Sequence, residues 1–123
     1  HNTQQPGLAT PAHTALRWKS DGSYNGFLDY DLAQGWLETP DWLGTNGSEV
    51  AWSANADVVE FKIPLSAVGP KSFTMQASWV FEGSGFESTY SGLPAGSIQD
   101  GYDPDFSAAL SINRRSSYAP AQQ

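Results

Sequence analysis

Val58-Val59-Glu60-Phe61-Lys62-Ile63-Pro64-Leu65-Ser66-Ala67-Val68-Gly69 is the stretch on which the fold turns. Val59, Phe61 and Ile63 fall on one face of an extended chain, and Val58, Glu60 and Lys62 on the other. Pro64 has no N–H to donate and so ends the pairing. Leu65–Val68 is long enough for one helical turn, which Gly69-Pro70 stops. The stretch predicts a strand that runs through a proline into a single turn of helix.

Period-two alternation extends outward from there. In 72–82, Phe73, Met75, Ala77, Trp79 and Phe81 share one face and read as core-facing. In 105–113, Phe106, Ala108, Leu110 and Ile112 point inward by the same rule. Gly26–Leu32 alternates Leu28, Tyr30 and Leu32 against Phe27, Asp29 and Asp31. Shorter extended pieces are expected at 12–18, from Trp36 and at 49–53. Thr39–Ser48 reads as a loop carrying Trp42, and 83–101 as a Gly/Ser-rich excursion with a short strand near Glu87–Tyr90. About seven short alternating strands with dense turns predict an all-β fold, an antiparallel β-sandwich of jelly-roll or immunoglobulin-like kind. The expected organisation is an arm over 1–11, either flexible or strand-exchanging, one β-sandwich domain over 12–113, and a loose tail over 114–123.

Composition agrees with this class and narrows the partners. The chain has 123 residues, enough for one core, with 12 glycines and 8 prolines to supply turns. Six basic residues against 13 acidic ones give a net charge of −7, the wrong sign for tracking a nucleic-acid backbone or anchoring on an anionic membrane. There is no cysteine, which removes disulfides and thiolate chemistry. No apolar run approaches the ~20 residues of a membrane span. Few lysines, many aromatics and many small polar residues point to an exported protein, and a first residue His1 rather than Met fits a processed form or a fragment.

The Val59-to-Gly69 segment, with Gly26-Phe27-Leu28-Asp29-Tyr30-Asp31 upstream and the Trp36–Trp52 hairpins between them, resembles carbohydrate-binding module family 9 and the related DOMON-like β-sandwiches, including those appended to glucodextranase-like enzymes. The resemblance covers about residues 24–113. It implies a non-catalytic glycan-binding module. Family members carry further N-terminal strands, so the resemblance also implies a sandwich trimmed here or completed by another chain, for which the arm is the natural donor strand.

Sugars stack their C–H faces on aromatic rings, so the loop and turn aromatics Tyr24, Trp36, Trp42, Tyr90 and Tyr102 are the candidate platform. For Trp36 and Trp42 the alternative is a cap over the open end of the core. Asp100, Asp103 and Asp105, spaced by Gly and Pro, can converge on a calcium ion, or simply make an Asx/Pro turn. Asp29 and Asp31 form a second possible pair. His1, with its free amine and His13, has the donors for copper, although a tag remnant explains it as well. Catalysis is not expected: Glu38, Glu49, Glu60, Glu82 and Glu87 sit in no glycosidase motif, and no G-x-S-x-G is present. Two functions remain. One is a secreted carbohydrate-binding module, with polysaccharide as partner and a structural calcium as the candidate cofactor. The other is a subunit of an extracellular filament, sheath or surface layer that self-associates by strand exchange through the arm.

Overall fold

The computed structural model describes residues 7–55, 58–69, 72–83, 86–98 and 105–113. Among them the regular structure is β-strand, all paired antiparallel, apart from one helical turn. No helix among the described residues is long and apolar enough to cross a membrane. The chain divides into two compact units, Ala12–Pro70 and His1–Pro11 together with Lys71–Gln123.

In the unit Ala12–Pro70, β1 (Thr14–Trp18), β2 (Asn25–Asp31) and β3 (Gly35–Pro40) form a three-stranded sheet in that order. The β2–β3 turn is set by Asp31, whose Oδ1 accepts the N–H groups of Ala33 and Gln34 at 2.8 Å each. Asp31 Oδ1 is thereby engaged in the turn. β4 (Glu49–Trp52) and β5 (Val59–Lys62) form a hairpin, with Val50 opposite Phe61. The sheet and hairpin meet through Trp18, whose ring lies 5.3 Å from Trp52 and 5.8 Å, edge-on, from Phe61. Aromatic pairs at such spacings contribute beyond simple area burial.

The proline-stopped strand forms as read. After β5, Pro64 sits extended at φ −60°, ψ 139°, and α1 (Leu65–Val68) follows. Gly69 ends the turn at φ 81°, a conformation that strains any residue with a Cβ.

Trp42 owes its position to its loop. The N–H of Leu43 bonds the side chain of Asn25 at 2.7 Å, and the N–H of Asp41 bonds the Asn25 carbonyl at 2.9 Å. The hydroxyl of the buried Ser48 lies within bonding reach of the carbonyls of Trp42 and Thr45. Locked this way, the loop presses the Trp42 ring onto Phe27 at a centroid distance of 4.4 Å and an interplanar angle of 23°. Phe27, Leu28 and Trp42 are the buried apolar residues of this unit.

The other unit differs from expectation in three ways. The strand foreseen over 72–82 breaks at Gln76 into β6 (Phe73–Met75) and β7 (Ala77–Gly83), which take different partners. The Gln76 amide donates to the Ala108 carbonyl at 3.2 Å in the gap. The excursion is largely a strand, β8 (Phe86–Leu93), paired with β7, while β9 (Leu110–Ile112), paired with β6, is shorter than read. Third, alternation did not translate into burial: Trp79 is 44% exposed, Phe81 49%, and Leu110 and Ala108 are also exposed. A two-stranded ribbon by itself covers neither of its faces. Phe106 is buried as expected. Its N–H donates to the Gly7 carbonyl at 2.8 Å, so residue 7 of the expected arm is tied to its own chain.

Candidate functional site

The three-stranded sheet has two faces, fixed by its register. Leu28 lies opposite Ala15 and Glu38, and Tyr30 opposite Trp36, so Ala15, Arg17, Leu28, Tyr30, Trp36 and Glu38 share one face. The other face carries Trp18 and Phe27 and packs on the hairpin and on Trp42.

On the first face, Tyr30 and Trp36 stand side by side, 5.3 Å between ring centroids and 70° between planes. Both are open to solvent, Tyr30 at 47% and Trp36 at 44%. An exposed aromatic pair of this size on a sheet face is a contact surface for flat apolar ligands. Glu38 lies two residues along β3 from Trp36 on the same side, about 7 Å away by strand rise.

Glu38 is held by the half-buried Tyr24, whose hydroxyl donates to Oε1. The pair arches over Gly26, where any Cβ would strike both the carboxylate and the phenol oxygen. Burial, and then the hydrogen bond to the Glu38 carboxylate and its charge, push the Tyr24 hydroxyl above its ordinary value, with Arg17 pulling weakly the other way. Tyr24 is therefore a firm neutral donor. The carboxylate keeps further lone pairs for ligand hydroxyls, and Arg17 adds a cationic donor on the same face.

The expected platform residues separate in space. Trp36 and Tyr24 belong to this face. Trp42 does not: at 8% exposure and stacked on Phe27 it is core, a correction caused by the hydrogen-bonded loop that carries it. Tyr90 is the residue of β8 left without a partner where the register shifts beside Trp79 and Val80, and its side chain lies outside what is described. Tyr102, Asp100, Asp103 and His1 lie outside the described residues. Asp105 is exposed and close against the backbone of Gly7, where a side chain would meet its carboxylate. Among the described residues no three acidic or histidine side chains stand together as a metal site.

Tyr30 and Glu38 were missed from sequence. Alternation groups Tyr30 with Leu28 and Leu32, yet Leu32 lies in the turn and is 96% exposed. Centring a hairpin on Ala33, with Asp31 opposite Gly35, would have set Tyr30 opposite Trp36. No protein-family model, no curated protein and no solved structure matches this chain.

Proposed function

We propose that the chain is a secreted, non-catalytic carbohydrate-binding module that takes neutral glycan chains on the sheet face carrying Tyr30 and Trp36. The reading rests on one observation: a solvent-open aromatic pair on a sheet face that also carries a carboxylate held by Tyr24. Ring stacking supplies affinity, and Glu38 with Arg17 fixes orientation through hydroxyls. The net charge of −7 favours uncharged sugars over uronic or sulfated ones. The resemblance of residues 24–113 to the family 9 and DOMON-like sandwiches, and the Trp18 contact between sheet and hairpin, support a sandwich reading of this unit.

Retention on a panel of insoluble and soluble polysaccharides, compared with Trp36→Ala and Tyr30→Ala, tests it. Each substitution is expected to weaken binding about tenfold, the equivalent of ~1.4 kcal/mol. A protein retained by none of the panel, or retained equally by both variants, ends this reading.

A second reading, self-association by strand exchange, draws support from the Gly7–Phe106 backbone bond, since the same bond made to a second copy is strand exchange. A monodisperse monomer at high concentration in light scattering removes it.

A further inference from the structure

The opposite face of the three-stranded sheet holds a second feature, independent of the Tyr30–Trp36 surface. Thr14, Asp29 and Thr39 lie on that face by register, beside Phe27. Together with Trp42, Asn46 and the Pro64–Gly69 turn they line a cleft of about 670 Å³. That volume lies within the range of small-molecule sites. Phe27 and Trp42, stacked and buried, form its apolar base. Above them stand the Thr14, Thr39 and Ser66 hydroxyls, the Asn46 amide and the Asp29 carboxylate.

None of these five side chains has a hydrogen-bond or ion-pair partner among the described residues. Thr14 is half-buried and Asp29, Thr39, Asn46 and Ser66 are exposed, so water meets their polar groups in the free protein and a ligand would take its place. They line the cleft as solvent-accessible donors and acceptors beside an aromatic base. One carboxylate among neutral oxygens is too little charge for a hard cation, which wants several anionic ligands. The same set suits a polyhydroxylated ring: the carboxylate accepts from adjacent hydroxyls, the amide and hydroxyls donate or accept as needed, and the apolar base meets the C–H side.

We propose that this cleft is a binding site for one or two units of a neutral sugar, with Asp29 as its principal hydrogen-bond acceptor. It is separate from the glycan surface on the other face. Its failure and that surface's failure are read by different variants.

The test uses the whole chain carrying Trp36→Ala, so that the other face is silent, and titrates glucose, maltose and cellobiose. Amide chemical shifts and Trp fluorescence report the result. Saturable changes at Thr14, Asp29, Thr39 and Ser66 are expected with at least one sugar, at millimolar affinity, ~4 kcal/mol. Asp29→Asn should weaken them at least tenfold with the melting temperature unchanged, and Thr39→Val should weaken them less. If Asp29→Asn unfolds the protein, Thr14→Val serves in its place and is expected to weaken binding severalfold. The proposal is overturned if no sugar perturbs these amides up to about 50 mM, if the changes survive both substitutions, or if calcium alone produces them.

Discussion

Trp42 and Trp79 are the same residue type in opposite circumstances. Trp42 is carried by a loop whose backbone is bonded to Asn25 and Ser48, and it closes over Phe27. Trp79 sits opposite Ser91 on a two-stranded ribbon, with Val80 and Phe81 beside it also exposed. Consecutive residues of a strand point to opposite sides, so both faces of that ribbon present apolar area. Side-chain chemistry does not decide burial here. The arrival of a covering layer does, and between residues 12 and 70 the covering layer is a hydrogen-bonded loop and a second hairpin.

The sharpest way to break this contrast is a pair of truncations. Trp42→Ala removes a buried ring and leaves a cavity, and is expected to cost about 3–5 kcal/mol in urea unfolding. Trp79→Ala is expected to cost less than about 1 kcal/mol. Equal losses would mean that the two tryptophans are equally covered in solution.

Alkaline titration sharpens the comparison within the sheet. The Tyr24 hydroxyl is raised above the ordinary value of 10.0 by burial first and Glu38 second. A raised value means that its contribution to stability is present in full below the ordinary tyrosine range and is lost as pH climbs through the folded-state value. Absorbance near the phenolate band should show one tyrosine ionising late, and Tyr24→Phe should remove that late step and flatten the alkaline loss of stability. A late step that persists in Tyr24→Phe assigns it elsewhere.

The smallest effect belongs to the Lys62–Glu49 ion pair across β4 and β5, 2.7 Å long with both side chains about two-thirds exposed. Lys62→Ala is expected to lower stability by less than about 1 kcal/mol, and raising salt should shrink the difference further. A larger loss that shrinks with salt would show that this hairpin depends on charge rather than on Trp18, and a larger loss insensitive to salt would assign it to packing of the Lys62 stem.

The sequence made the Pro64 turn plain because its signals are local: a missing donor, a short apolar run and a glycine stop. Strand identity was legible at Gly26–Leu32 and 72–82, but the equally clean alternation over 105–113 forms a strand only at Leu110–Ile112. Partner choice was not. Nothing local marks Gln76 as the place where one extended segment leaves β9 and joins β8, since alternation continues straight through it. Trp36 was found, but its neighbour Tyr30 was not, because a cross-strand pair exists only once the register is known. Trp42 was misjudged for a related reason. Its burial depends on Asn25 and Ser48, which lie on either side of it in the chain and converge only in the folded loop.

The nesting around Gln76 bears on how the chain assembles. Only two residues separate β7 from β8 in the chain, whereas β6 and β9 lie on either side of that pair in sequence. Closing the inner ribbon shortens the free length that the outer pairing must span, and the entropy of bringing distant ends together falls with it. Self-assembly after residue 71 is therefore favoured from the inside outward, with Gln76 as the joint at which the zipper changes hands.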